Sequence, residues 1–427
     1  MSEYQNERDY LSDLKDRAVL PSGFRVAAVP ISFFPTERAV SDPLKMNLSL
    51  IALDKPTESF AAVFTRNAFP GAPVKIGRRR LSEAKAVSGV LINNKISNVC
   101  AEGGEEDAEE ILSVLGKSLG VPRESLFPAS TGIIGWRLPK KEMKEAIPEL
   151  TAALDSGTLP ELARAIMTTD AFPKIRSAAV GSGVVTAVAK GAGMIEPNMA
   201  TMLCFIMTDI TVSRDDFRRA LNAAVDAGFN SISVDGDQST SDTVLAFSSC
   251  QKDGVPYESF ANALKSVCVQ LAEDIVRNGE GVHHVMKVKI SGALDDAEAK
   301  RAGKAIVNSP LVKTAVFGND PNVGRLISAL GDDFGNHGAL PDPEKVTVSL
   351  GGRTVFRSGS FVLDEECERF LSQYLKLRQI NPGEKRYPEH ENCVEIEISL
   401  GDGDGRAVVV GADLTYDYVK ENADYRS

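Results

Sequence analysis

The stretch AKGAGMIEPNMATMLCFIMTD, residues 189–209, sets a glycine-bearing loop and a proline turn directly against an apolar run. The run MLCFIM has strand length and no polar alternation, the pattern of a strand covered on both faces. A sheet buried on both sides needs other layers over it, so this segment predicts stacked sheets with helices outside. At the junction between loop and run stands Thr201.

A threonine hydroxyl is a weak nucleophile near neutral pH unless a base lies beside it, and the threonine's own α-amine is one such base. Thr201 gains a free amine only if the bond from Ala200 breaks. Ala200 is small enough to let the Thr201 hydroxyl attack its carbonyl. An N-to-O acyl shift and hydrolysis would then leave an amine with an ordinary pKa of about 8. Gly191 and Gly193 permit unusual backbone angles, and Pro197 and Asn198 favour a turn. Thr201 also fits as the first residue of a buried strand, and the residues alone leave both readings open.

The chain has 427 residues, 43% hydrophobic and 25% charged, enough to bury a large core in more than one layer pair. A net charge of -11 argues against a nucleic-acid or anionic-membrane surface, because phosphate binding needs clustered cations. The densest cationic run, IGRRR at 76–80, reads as a solvated turn. The N-terminus MSEYQNERDYLSDLKDR alternates charge signs, unlike a signal or transit peptide, so a cytoplasmic protein is expected. Apolar runs fall short of the roughly 18 residues that cross a bilayer. Six scattered cysteines without a CxxC pair read as buried thiols, and four histidines complete no zinc pattern. Neither a metal nor a cofactor is expected.

Helical periodicity is clearest in EDAEEILSVLGKSLG (106–120) and in SRDDFRRALNAAVDAGF, where Ser213 and Asp216 form a capping box and Gly228 a stop. It recurs from Tyr257 to a stop at Gly279, and at 295–307 and 364–378. KVTVSL, CVEIEISL and HHVMKVKISG alternate as strands. Three local motifs fail on inspection. LGKSLG lacks the first glycine of a phosphate loop, where Ile111 stands. DGDQSTSD (235–242) has Thr240 where a calcium loop turns on glycine, and reads as an Asp-rich turn. GDGDGRAVVVG follows no dinucleotide-binding unit.

KGAGMIEPNMATML resembles the self-cleavage and nucleophile motif of the glutamate N-acetyltransferase (ornithine acetyltransferase) family. Further resemblances follow in order: STGIIG (130–135), AIMTTDAFPK (165–174), SVDGDQSTSDT (233–243), NGEG (278–281), SPLVKTAVFGNDPNVGR (309–325) and the C-terminal ADLTYDYVKENADYRS. They span roughly residues 20–427.

The resemblance implies an α/β fold of four layers, α-β-β-α, of the DmpA/ArgJ-like kind. It implies an α chain (1–200) and a β chain (201–427), cut between Ala200 and Thr201 and associated as a heterotetramer. The activity implied is acetyl transfer from N-acetylornithine to glutamate through an acetyl-threonine, with acetyl-CoA as a further donor in bifunctional members. By the same resemblance Thr201 is the nucleophile. Thr131 and Gly132 are the oxyanion donors, and Thr168 (or its neighbour Thr169), Lys190, Glu280, Asn422 and Ser427 line the substrate site. Each has a plainer reading: Lys190 and Glu280 as surface charges, Thr168 as a helix cap, Asn422 and Ser427 as a frayed tail. A self-processing amidase or aminopeptidase-like hydrolase, and an inactive ligand-binding relative, are the alternatives. The sequence departs from the family pattern at NNKISNVCAEGG (93–104), at Val323 and Ser241, and after Glu280. These departures bear on acceptor choice more than on chemistry.

Overall fold

The computed structural model describes residues 4–196, 202–337, 341–389 and 392–424. Its architecture is mixed α/β. A four-stranded sheet runs in the order Phe24–Phe33, Leu44–Thr57, Val87–Asn93, Leu126–Ser130. A five-stranded sheet runs Phe60–Phe64, Thr243–Lys252, Leu203–Ile210, Gly183–Lys190, Lys174–Val180.

Period-two alternation decides how these sheets stack. Leu203, Phe205 and Met207 share one core with Ile92, Phe127 and Ala129 of the other sheet, so the two sheets pack face to face. Cys204 and Ile206 point the other way, onto Leu264, Val267 and Leu271 of the helix Tyr257–Arg277. On the opposite outer face, Leu50 and Leu91 meet Ile111, Leu115, Ile147 and Leu150 of the helices Gly104–Leu119 and Lys140–Ala152. The layers are therefore α-β-β-α, as expected. Leu203–Ile210 is buried at every residue, which explains why its sequence shows no alternation.

A seven-stranded sheet lies beyond this sandwich. It holds Thr347–Leu350, Val394–Ser399 and Val285–Ala293 at its centre, and helices Asp296–Asn308, Val323–His337 and Glu365–Leu377 cover it through Val288, Ile290, Ile396 and Ile398. Its other face carries Lys289, paired with Glu397 at 3.0 Å. The alternating segments are strands, as the sequence indicates, but alternation does not say which sheet a strand joins.

Two expectations are corrected. IGRRR lies inside a helix, Ala72–Glu83, with Pro73 in its first turn. Ile76 and Arg80, four residues apart, face inward, and Arg80 donates to the Leu126 carbonyl and to Glu109. Arg79 on the outer face pairs with Glu105 and Glu109. A cationic run whose charges find carboxylates on the next helix is compatible with a packed helix. Of the six thiols, only Cys204, Cys268 and Cys393 are buried; Cys100 and Cys250 are exposed. No helix among the described residues is long and apolar enough to cross a membrane.

Candidate active site

Lys190, the last residue of its strand, is paired antiparallel with Leu203, the first residue of the next. The sheet therefore brings the two ends of the quoted loop together. Ala200, Thr201 and Ser427 lie outside the described residues. The neighbouring strand fixes the start of the apolar run, as Thr243 donates its amide to the Met202 carbonyl at 3.0 Å. From there a chain of backbone hydrogen bonds crosses to the other sheet. Gly71 donates to Thr240, Ala72 to Asn98, and Ser97 to Ile133.

Residues 130–133 turn sharply at the end of Leu126–Ser130. Gly132 has φ +117°, and a Cβ there would collide with the Lys95 carbonyl, so the turn requires glycine. The Thr131 amide donates to the Asn93 carbonyl at 3.1 Å and the Ile133 amide to Lys95 at 2.9 Å. The donors between them, the Thr131 hydroxyl and the Gly132 N–H, have no hydrogen-bond partner among the described residues. Both residues are half-buried. A backbone N–H held by the turn and, beside it, a hydroxyl free to rotate, neither with a partner among the described residues, are groups able to donate to an oxyanion. Asn94 ties this corner to the next one, donating Nδ2 to the Met167 carbonyl at 2.8 Å.

The turn at 168–172 is organised by Asp170, which is buried. Its carboxylate accepts from Lys174 Nζ at 2.6 Å, from the Gly191 amide at 2.7 Å and from the Thr168 amide at 3.0 Å. Burial pushes its pKa up, but the Lys174 ammonium and then Lys190 outweigh that and hold it well below the usual carboxylate range. Lys190 is itself buried beside this carboxylate. Asn278, at the end of the helix Tyr257–Arg277, accepts from the amides of Ala171 and Phe172 at 2.8 and 3.0 Å and donates to Gly191 O at 3.3 Å. One amide side chain thus joins three segments of the site.

Glu280 completes the cluster. Its Oε1 accepts from the Thr169 hydroxyl at 2.7 Å and its Oε2 from Asn422 Nδ2 at 3.0 Å. Gly193 lies against the carboxylate so closely that a Cβ would collide with it. The Thr168 hydroxyl faces Asp170 at 3.5 Å, so the threonine in contact with Glu280 is Thr169. Beside this pair opens a cavity of about 590 Å³, walled among others by Arg164, Asn278, His283, Arg386 and Glu421. Burial, with Glu280 and Asp417 nearby, raises the pKa of Glu421. Among the described residues there is no cluster of three or more His, Cys, Asp or Glu that could hold a metal.

The structure therefore gathers Lys190, Glu280, Asn422 and the 168–170 turn, and links them through Asn94 to the Thr131–Gly132 corner. Lys190 is not a surface charge, and Glu280 is engaged by two side chains. Asn94, Asp170 and Asn278 were not singled out from sequence. Asn278 opens the NGEG motif and Asp170 follows the two threonines, so both stood inside quoted motifs without a stated role.

The ArgJ family model matches residues 36–427. The arginine biosynthesis bifunctional protein ArgJ of Nitratidesulfovibrio vulgaris is 40% identical over 416 residues, covering 95% of this chain and 99% of its own. The glutamate N-acetyltransferase Oat2 of Streptomyces clavuligerus is 35% identical over 409 residues, 95% of this chain and 98% of its own. Among solved structures, the crystal structure of the arginine biosynthesis bifunctional protein argJ from Bacillus halodurans matches 52% of this chain and 98% of that one, at 33% identity and a TM-score of 0.45. With the family model spanning most of the sequence and relatives this similar over nearly their whole lengths, the chain belongs to the ArgJ family.

Proposed function

We propose that the chain cuts itself between Ala200 and Thr201 and then transfers acetyl groups from N-acetylornithine to glutamate, a step of arginine biosynthesis. The observation that carries this reading is the pair of donors on Thr131 and Gly132 that have no partner among the described residues, at the end of the strand Leu126–Ser130. The names of the relatives in arginine biosynthesis and glutamate acetylation support it.

In maturation the Thr201 hydroxyl adds to the Ala200 carbonyl, the C–N bond breaks in the acyl shift, and water hydrolyses the resulting ester. The products are an Ala200 carboxylate and a free Thr201 amine. That amine then takes the hydroxyl proton as Oγ attacks the acetyl carbonyl. The negative charge on the tetrahedral oxygen falls to the Thr131 O–H and the Gly132 N–H. Collapse expels ornithine, whose amine leaves with the proton, and the amine of glutamate repeats the sequence in reverse. Lys190 suits the carboxylate of an amino acid, and Glu280, oriented by Thr169 and Asn422, suits an amine or a passing proton. Thr168 and Ser427 complete the substrate wall. The α and β chains remain joined because the five-stranded sheet takes strands from both sides of the cut, and two such pairs assemble as the heterotetramer that the family resemblance implies. Whether acetyl-CoA is a further donor, as in bifunctional members, is tested by supplying it in place of N-acetylornithine.

Mass measurement under denaturing conditions tests the maturation step, and two fragments divided after Ala200 are expected. An assay of N-acetylornithine with and without glutamate tests transfer. Acetate release independent of glutamate would replace this reading with a hydrolase. A chain that stays whole and takes no acetyl group would be an inactive relative.

A further inference from the structure

Asp235 opens the turn that the sequence presents as merely Asp-rich. Its Oδ2 accepts from the Met194 amide at 2.7 Å, and its Oδ1 from the amides of Ile195 and Asp237 at 2.8 and 3.2 Å. The Tyr418 phenol lies nearby, its pKa raised by burial and then by the Asp235 charge. Around this carboxylate the backbones are also joined: the Val234 amide donates to Ile195 O at 2.7 Å and the Glu196 amide to Asp237 O at 2.9 Å. Met194 is held at φ +56°, a left-handed conformation that a side-chain-bearing residue rarely keeps without outside support.

The turn that carries Asp235 is itself anchored from the seven-stranded module. Lys313 Nζ, its pKa pushed down to about 8 by burial, donates to Val234 O and Ala412 O, each at 2.6 Å. Ser233 donates to Asn308 at 2.6 Å, and Asn308 in turn donates to Glu196 at 3.2 Å. Residues 194–196, which lead toward the Ala200–Thr201 bond, are therefore tied to this module, Glu196 through Asn308 and Lys304 and the amides of Met194 and Ile195 through the Asp235 carboxylate.

We propose that Asp235 is the positioning residue for self-cleavage: it sets the backbone entering the Ala200–Thr201 bond so that the Thr201 hydroxyl meets the Ala200 carbonyl. This rests on the cleavage reading above. An intramolecular acyl shift depends on the angle at which the two groups meet, and displacements near 1 Å cost about a hundredfold in comparable steps. Both carboxylate oxygens are needed, because each takes a different amide. Asn in this place keeps one acceptor and turns an NH₂ toward the other N–H, with little change in volume.

The test follows conversion of freshly made chain into two fragments by denaturing mass measurement over time, with melting temperature and acetyl transfer per cut chain measured alongside. Asp235→Asn should slow cleavage by about tenfold or more, while chains that do cut transfer acetyl groups within about twofold of wild type. Asp235→Glu, which keeps the charge but displaces it by one methylene, should also slow cleavage, and it decides the matter if the Asn variant shows no native melting transition. Cleavage of these variants at the wild-type rate overturns the proposal. So does a loss of transfer per cut chain matching the loss in cleavage, which would mean general distortion of the site. A wild-type chain that never cuts removes the function reading instead.

Discussion

Thr169 donates its hydroxyl to Glu280 at 2.7 Å across 111 positions of sequence. The contact aims one carboxylate oxygen while Asn422 takes the other, so Glu280 is held from two sides before any substrate arrives. Thr169→Val keeps the shape and removes the donor. A hydrogen bond to a charged group is worth about 1.5–3 kcal/mol, so KM for the amino-acid substrate should rise about tenfold or more, with a much smaller change in kcat. Steady-state kinetics of the variant checks this, and an unchanged KM would detach Thr169 from the site.

Thr131→Val removes one of the two unspent donors without altering the backbone turn. Loss of a single oxyanion donor costs about a hundred- to a thousandfold in kcat. The rate should be measured per cut chain, so that a maturation defect is not counted as a turnover defect. The melting temperature should stay near that of the wild type, because the hydroxyl supports nothing else among the described residues.

Thr201→Ala should remain one uncut polypeptide with no transferase activity. Mass measurement distinguishes this from the wild type directly. If that variant still divides after residue 200, another group performs the attack.

Asp170→Asn leaves the buried Lys174 ammonium without its carboxylate, and breaking such a pair costs about 3–5 kcal/mol. Because the Asp170 pKa is lowered in the fold, its stabilisation is complete above the ordinary aspartate value of about 3.9. It is lost as pH falls below that toward the folded value. The stability gap between wild type and variant should therefore be widest near neutrality and narrow below about pH 4. Urea unfolding at a series of pH values tests both the size and the direction.

Much of the sandwich was legible because burial imposes visible periods. Leu203–Ile210 declared itself by unbroken apolarity, and the helices 104–119, 214–227 and 257–277 by their stripes and stops. The helix Ala72–Glu83 hid behind three consecutive arginines, since sequence does not show that Glu109 waits across the interface for Arg80. The site was legible only where a motif stood in one piece. Asp170, Asn278 and Asp235 act by bonding backbone amides of distant segments, and any Asp or Asn in a turn looks the same in sequence whether its partner lies two residues away or a hundred. The corner at Gly132 is likewise set by a distant segment, the Lys95 carbonyl, which leaves no room for a Cβ there.

Strand Leu203–Ile210 is stitched to Gly183–Lys190 on one edge and to Thr243–Lys252 on the other. A break just ahead of it would leave the strand itself held by ladders on both flanks. Severing the backbone there should be calorimetrically silent: one melting transition before the nick and one after, with both fragments unfolding together.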